Sequence, residues 1–365
     1  MVAPSFYRRP LPEGLTPFSS VEGKQLFREA LSAGTMEGFF VLSEQFHTQA
    51  DPAYCGLGSL VVALNALGVD PGRLWKGPWR WFDESLLDCC VPLDVVATRG
   101  VTLGELGCLA DCNGAHAHVA RAADATLADL RRAIAEASRS ASGPVVVAAY
   151  ERTALGQTGI GHFSPIGGYH EGRDLALLLD VARFKYPPHW VPIERLFEAM
   201  LPIDEATGQS RGWVSLSAAS LPRPVFLRLS APPEGWRGLV RDLEQEATKD
   251  GPADAAQWSR AIVQHASVVT QIAEPLSSAL HGELAPEHRA YIEEVLRGIR
   301  ETPVFELASA AVAEHVEQEL TAEVVALLVL VLAPHPRIES LPQLLGAEVS
   351  TLRRQVGALC APPQH

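Results

Sequence analysis

The chain has 365 residues and a formal net charge of −13, which is length enough for two domains and too acidic to suit nucleic acid or an anionic membrane as a partner. Hydrophobic residues make up 47% of it, ample for packed cores, yet the longest apolar run, Val324 to Ala333, falls well short of the ~20 residues a membrane-spanning helix needs. Six cysteines follow an N-terminus that mixes Arg8, Arg9, Pro10 and Pro12 and lacks a signal-peptide pattern, so reduced thiols and a cytoplasmic location are expected.

The first predicted element is an amphipathic helix over 20–33, with Ser20 as its N-cap and Gly34 beyond its end. Next comes Gln49-Ala50-Asp51-Pro52-Ala53-Tyr54-Cys55-Gly56, followed by Leu57, Leu60, Val61, Leu64 and Leu67 at helical spacing. Asp51-Pro52 breaks any earlier helix and leaves Cys55 in the first turn of the new one. Unpaired backbone N–H groups and the positive end of the helix dipole gather there, so a thiolate is expected. The Gln49 amide and the Cys55 backbone N–H would together form an oxyanion hole. Alone, this stretch fits a buried structural cysteine equally well.

The nucleophile helix is predicted to stop at Gly68, before a turn at Asp70-Pro71-Gly72. Trp75, Trp79 and Trp81 then read as a satellite cluster under a loop, with a wall of the substrate cleft as the alternative. Ser85 to Asp88 and Leu103 to Ala110 look helical, and Thr126 caps a helix over Leu127 to Ala137. Cys89 and Cys90 are adjacent, while Cys108 and Cys112 share one helix face, with His116 and His118 after them. This set lacks the regular two-ligand modules of a closed zinc site. Buried small hydrophobes and thiolate contact with a soft metal both remain open for it.

After a strand over Val145 to Tyr150, the runs Gly159 to Tyr169 and Leu175 to Ala182 read as a hairpin turning at 170–174. A hairpin centred on Glu171 makes His162 and Asp180 cross-strand partners on one face. Cysteine, histidine and aspartate in that order, with glutamine just before the cysteine, form the papain-like arrangement. In it sulfur is the nucleophile, imidazole carries the proton, and the carboxylate fixes the tautomer. Prolines 222, 224, 232 and 233 mark a linker around a strand over Val225 to Leu229. Beyond it the chain reads as helical: a stripe of Trp258, Ile262, Val269 and Ile272, then Glu287 to Arg300, Val304 to Leu320 and Thr321 to Leu332. The predicted division is therefore 1–218, a linker over 219–234, and a helical domain over 235–365.

Several runs resemble the eukaryotic phytochelatin synthases: Pro52-Ala53-Tyr54-Cys55-Gly56-Leu57, Trp75 to Glu84, Gln157 to Tyr169, and Asp180-Val181-Ala182-Arg183-Phe184-Lys185-Tyr186-Pro187-Pro188-His189-Trp190. The similarity covers roughly residues 4 to 215 and implies an α+β, papain-like cysteine peptidase fold, with a helical lobe bearing Cys55 and a strand-rich lobe bearing His162 and Asp180. It implies a dipeptidyl transfer in which glutathione acylates the cysteine and loses glycine. The γ-glutamylcysteinyl group then passes to another glutathione or a growing phytochelatin, serving metal detoxification. On matching positions the catalytic set is Cys55, His162, Asp180 and Gln49. The resemblance assigns Asp204 and Arg211 to the γ-glutamyl pocket and Thr48, Arg152 and Lys185 to the second-substrate site; the position of Arg183 just beyond Asp180 makes it, with Tyr186, an expected substrate contact, the alternative being a solvated or structurally paired charge.

No organic cofactor is expected. Cadmium or zinc would act as activator, arriving as a metal–glutathione thiolate, and a weaker signal attaches Cys89, Cys90, Cys108 and Cys112 to metal. Expected partners are glutathione, phytochelatins and heavy-metal thiolates, with a homodimer left open. The rival readings are a peptidase that hydrolyses glutathione or its S-conjugates and a non-enzymatic thiolate metal-binding protein. The chain departs from the plant pattern after the catalytic region, where its Cys-poor C-terminal part keeps only Cys360.

Overall fold

The computed structural model describes residues 8–71, 75–218, 226–229, 235–249, 251–275, 286–315, 320–334 and 340–360. Helices dominate its first hundred residues. Ser20 caps α1 (Val21–Ser32), its Oγ accepting the Gly23 N–H at 2.9 Å, a cap that contributes about 1 kcal/mol. α2 (Glu37–Gln45) follows, and α3 (Cys55–Ala66) begins at the cysteine and gives way to Gly68 in a left-handed conformation. The expected helix over Ser85–Asp88 is only a 3₁₀ turn, Glu84–Leu86, started by the Asp83 carboxylate. α4 (Leu93–Arg99) had no counterpart in the sequence reading. α5 (Leu103–Cys112) and α6 (Leu127–Ser138) each open with a full capping box, Thr102 with Glu105 and Thr126 with Asp129.

Seven antiparallel strands form the main sheet: β1 (Thr16–Pro17), β2 (Ala115–Arg121), β3 (Val145–Glu151), β4 (Gly161–His170), β5 (Leu175–Leu178), β6 (His189–Pro192) and, after α7 (Ile193–Glu198) and the small ribbon of β7 (Ile203–Asp204) with β8 (Gln209–Ser210), β9 (Gly212–Ala218). Their order is β1-β6-β5-β4-β3-β9-β2. β4 lies in the middle, which is why its residues are buried almost without interruption. Alternation along β3 serves two cores. Val147 and Ala149 pack with Leu57, Leu60 and Leu106 of α3 and α5, whereas Val146, Ala148 and Tyr150 pack with Leu130 and Ile134 of α6. This mixed helix-and-sheet architecture is α+β.

Two sequence expectations fail here. Trp79 and Trp81 are 70% and 43% exposed, and none of the three indoles lines the cleft described below. They form neither a buried cluster nor a cleft wall. The hairpin register also differs from the one expected. His170 pairs with Leu175 and Gly168 with Leu177, then a bulge at Gly167 shifts the ladder so that Ile166 faces Leu178. β5 ends at Leu178, so Asp180 is not on the strand at all. The bulge residue is tightly packed: a Cβ on Gly167 would lie 2.9 Å from Leu179 Cγ.

The C-terminal residues build a separate core. β10 (Leu227–Leu229) pairs with β11 (Ala273–Pro275), and around them lie α8 (Gly235–Ala247), α9 (Ala255–Gln264), α10 (Ala266–Ile272), α11 (Pro286–Arg300), α12 (Pro303–Ala313), α13 (Ala322–Leu332) and α14 (Gln343–Cys360). Trp258, Ile262, Val269 and Ile272 are all buried in it, but on two helices that divide at His265. The helix expected over Val304–Leu320 stops at Ala313, and residues 316–319 of that expectation lie outside the described residues. Most of the expected linker also lies outside them; Leu227 and Leu229, within it, are core residues. The seam between the two parts is made where α14 packs on α5 and where the Cys90 N–H donates to Leu229 O at 3.1 Å.

Candidate active site

Cys55 is the first residue of α3 and is partly exposed to a cleft of about 1010 Å³, which His162, Arg152, Lys185, Asp204 and Arg211 also line. The turn that launches α3 is set by Asp51, whose Oδ1 accepts the Ala53 N–H at 2.9 Å and whose carbonyl accepts the Tyr54 N–H. The next residue has to be glycine, because a Cβ on Gly56 would sit 2.3 Å from Val101 Cγ2. His162 reaches the cleft from β4, where Tyr150 is its cross-strand partner and packs edge-on against its ring. Asp180 lies just past β5, fully buried, with Oδ1 2.8 Å from His162 Nε2. That bond places the imidazole proton on Nε2 and leaves Nδ1 as the free base.

The electrostatics correct the expectation of a resting thiolate. Burial pushes the Cys55 thiol up by more than the Phe163 and Gly56 backbone N–H groups and the Arg152 charge pull it down. Burial and the Arg152 cation also lower His162, to about 4, despite Asp180. Burial opposes ionisation of Asp180, but the His162 and Arg152 charges outweigh it and hold this carboxyl well below the ordinary range. The resting pair is therefore neutral thiol and neutral imidazole. Sulfur becomes anionic only as it hands its proton to His162 during attack.

A family profile for phytochelatin synthase matches residues 6–213. The chain belongs to the phytochelatin synthase family. It is 50% identical over 250 residues to glutathione gamma-glutamylcysteinyltransferase 1 of Arabidopsis thaliana, covering 68% of this chain and 51% of that protein. It is 52% identical over 244 residues to glutathione gamma-glutamylcysteinyltransferase 1 of Triticum aestivum, covering 66% and 48%. With the glutathione gamma-glutamylcysteinyltransferase of Schizosaccharomyces pombe it shares 44% over 250 residues, covering 68% and 60%. The chain thus spans about half the length of the plant relatives it matches.

Not every expected site residue of this phytochelatin synthase family chain faces the cleft. Gln49 is buried, and its Nε2 donates to the carbonyls of Asp51 and Pro52 at 2.8 and 2.9 Å. Both amide hydrogens are thereby spent on the loop, so in this arrangement Gln49 braces the turn before α3 instead of offering a donor to an oxyanion. Thr48 is exposed and away from the cleft. Arg183 stacks on Phe46, 5.0 Å from its ring centroid. Tyr186 is buried under the Arg152 guanidinium, and its hydroxyl accepts the Thr158 N–H at 2.9 Å.

Arg152 lines the cleft, yet its charge is committed inward. Nη2 lies 2.9 Å from Asp180 Oδ2, and Nη1 donates to Gln157 Oε1. Gln157 Nε2 in turn meets His189 Nε2 at 3.2 Å, and His189 Nδ1 meets Pro187 O. Gln157 and His189 are the positions that sequence reasoning left without a role. No spacing rule could have found them, since they join Arg152 only through the fold. Arg211 is buried, ion-paired with Glu151 at 2.9 Å and bonded to the carbonyls of Pro202 and Ile203. It fixes the turn that presents Asp204, whose Oδ1 accepts the Ala206 N–H. Arg99, also on the cleft, is held bidentately by Glu105. Among the described residues, Lys185 is the one cleft-lining cation without an ion partner.

Proposed function

We propose that this chain is a γ-glutamylcysteinyl transferase that makes phytochelatins from glutathione, on a papain-like frame. The observation that carries the reading is that Cys55 and His162 line one cleft, with Asp180 buried behind the imidazole and bonded to it, in a chain whose relatives are named for that transfer. His162 Nδ1 takes the thiol proton as Cys55 Sγ attacks the cysteinyl carbonyl of glutathione. The Cys55 and Gly56 backbone N–H groups at the start of α3 face the oxygen that becomes negative. The tetrahedral species collapses to a thioester, and glycine leaves with the proton returned by His162. The amine of a second glutathione, deprotonated by the same imidazole, then attacks the thioester and frees the sulfur.

Glutathione carries two carboxylates and an ammonium. Asp204 suits the ammonium and Lys185 a carboxylate, while Arg211 can add a contact only where Glu151 shares it. The activating cadmium or zinc is read as part of the acceptor, bridging glutathione thiolates and blocking their sulfurs. Among the described residues no helix is long and apolar enough to cross a membrane. A cytoplasmic setting, where glutathione is abundant and thiols stay reduced, fits this chemistry.

The test is mass spectrometry of products from glutathione with and without cadmium. Oligomers of γ-glutamylcysteine ending in glycine, with one glycine released per transfer, are expected. Free γ-glutamylcysteine as the sole peptide product would instead identify a peptidase, and no glycine release would end both readings.

A further inference from the structure

Behind Asp180 the polar contacts run on into the protein, away from the cleft. Arg152 begins a loop that folds back on itself, Gln157 N–H donating to Arg152 O at 2.9 Å and Arg152 N–H to Ile160 O at 2.8 Å. Thr153, Ala154, Gly159 and Ile160 of this loop line the cleft, whereas Gln157 is buried and does not. Its amide lies between the Arg152 guanidinium and the ring of His189. His189 opens β6, is fully buried, and pairs with Leu178, after which the chain leaves the sheet for Asp180.

The two ends of this chain fix the direction of every bond in it. Pro187 O can only accept, so His189 Nδ1, 2.9 Å away, carries the ring proton and Nε2 is left bare. A guanidinium can only donate, so the Gln157 atom that faces Arg152 Nη1 is the oxygen. The amide nitrogen is then the atom 3.2 Å from His189 Nε2, and it donates to that bare nitrogen. Both ends give the same answer for an amide orientation and a tautomer that either contact alone would leave open. Burial holds His189 below the ordinary imidazole range against the pull of Asp180 and of Pro187 O, and the Arg152 charge adds to the lowering. The ring is thus neutral, as the chain requires: a proton on Nε2 would set a donor against the Gln157 amide hydrogens.

A buried amide and a buried imidazole need partners whatever else they do. What singles out this pair is where it ends. Arg152 Nη2 lies 3.0 Å from Asp180 Oδ1, the oxygen that holds His162, and 2.9 Å from Oδ2. Yet Arg152 also lines a cleft that receives a substrate with two carboxylates. A guanidinium free to turn would follow one of them.

We propose that Gln157 and His189 are positioning residues for the reaction: the neutral His189 ring, with its proton on Nδ1, sets the Gln157 amide so that its oxygen holds Arg152 on Asp180 and off the substrate's carboxylates. The proposal rests on the reading of Cys55 and His162 as the reacting pair, and neither Gln157 nor His189 lines the cleft. The charges acting on His162 are Arg152, Asp180 and Lys185, with the Tyr150 ring edge-on against it; those acting on His189 are Asp180 and Arg152. Without the brace Arg152 loosens, its repulsion of a charged imidazole weakens, and His162 binds a proton more readily.

The first readout needs no catalysis, so it stands even if the proposed function fails. Proton–nitrogen correlation spectra of the full chain, isotope-labelled at histidine and assigned by the signals lost in His189→Gln, should show at pH 7 a neutral His189 with its proton on Nδ1. A proton on Nε2 or a charged ring would overturn the proposal. In the same spectra His162 should titrate at higher pH in Gln157→Met and His189→Phe than in the wild type. The second readout is glycine release from glutathione, a step shared by transfer and hydrolysis; its absence from the wild type would count against the proposed function and leave the spectra to judge the brace. Each of the two variants should lower kcat about tenfold or more, the factor for one lost hydrogen bond to a charged group, with KM for glutathione unchanged or lower. His189→Gln, which can place an oxygen where Nε2 stood, should recover part of the rate and return His162 toward its wild-type titration. A raised KM at unchanged kcat, or a lowered kcat with His162 titrating as in the wild type, would make the pair packing alone and sink the proposal. If circular dichroism shows that Gln157→Met and His189→Phe do not fold, the wild-type tautomer and the titration of His162 in His189→Gln decide.

Discussion

Arg152 Nη2 and Asp180 Oδ2 lie 2.9 Å apart with both side chains out of water. The same carboxylate holds His162, so the cation sets the charge state of the whole catalytic group. It favours ionised Asp180 and opposes a charged imidazole. Replacing Arg152 with Met should therefore act through Asp180. Removing one partner of a buried ion pair costs about 3–5 kcal/mol, which calorimetry or chemical denaturation would read. In Arg152→Lys, which keeps the charge, the rate should partly return. The KM for glutathione should change little in both variants, while kcat falls. A rise in KM alone would make Arg152 a substrate ligand.

Asp180 fixes the imidazole proton on Nε2, and an amide can hold the other tautomer as readily. Asp180→Asn should keep the fold by circular dichroism and lose on the order of 10²–10⁴ in turnover. Activity within a few fold of wild type would leave Asp180 a structural partner of Arg152 only.

Much of this site was legible in the sequence. Cys55 could be placed because Pro52 and the spacing of Leu57, Leu60 and Leu64 fix a helix start, and Ser20 and Thr126 announced their helices through side chains that cap them. His162 and Asp180 were paired correctly by a register that was wrong. The bulge at Gly167 moves the ladder, and Asp180 reaches the imidazole because the chain leaves the sheet after Leu178. Local pattern does not encode a bulge made by a close contact with Leu179. The destination of buried charge was equally hidden. Arg152 reads as a cation near a substrate until the fold gives it Asp180 and Gln157. The Cys55 helix dipole suggested a thiolate until the burial of the sulfur was known.

The pH dependence follows from the same charges. His162 is lowered to about 4, whereas an unfolded imidazole titrates near ~6.5. Between those values the unfolded chain binds the proton and the folded one does not, so stability rises with pH across the window and is lost on acidification. The full displacement corresponds to roughly 3 kcal/mol. His189 is lowered too and steepens the loss in this window, whereas the lowered Asp180 carboxyl adds to it only on further acidification, below the ordinary carboxylate range. Denaturant midpoints between pH 7 and pH 4 should show it. The acid limb of kcat/KM should lie well below the ordinary imidazole range wherever the protein remains folded, and Arg152→Met should move it upward.

If the metal enters transfer as part of the acceptor, a glutathione whose sulfur is already blocked needs none. S-methylglutathione should give peptide products without cadmium, at rates that added cadmium does not raise. Strict cadmium dependence with this substrate would mean that metal acts on the protein, at Cys89, Cys90, Cys108 and Cys112 or elsewhere.

Lys185 is where an incoming carboxylate has the most to gain. Arg99, Arg152 and Arg211 each already hold an acidic side chain, so a substrate must compete for them. Among the described residues Lys185 has no such partner. Burial and the nearby Arg152 charge lower its affinity for a proton, and an anion would relieve that repulsion. The backbone makes room for it: Gly159 adopts φ +104°, and a Cβ there would lie 2.9 Å from Lys185 Nζ. Lys185→Gln should therefore raise KM for glutathione about tenfold or more, the loss of one charge-assisted hydrogen bond worth about 1.5–3 kcal/mol, with little effect on fold. A substrate amide that lacks the glycyl carboxylate should lose the same factor against wild type and show no further loss against Lys185→Gln. If the variant instead lowers kcat at unchanged KM, Lys185 acts through Arg152 and Asp180. The carboxylate would then have to be held by one of the paired arginines.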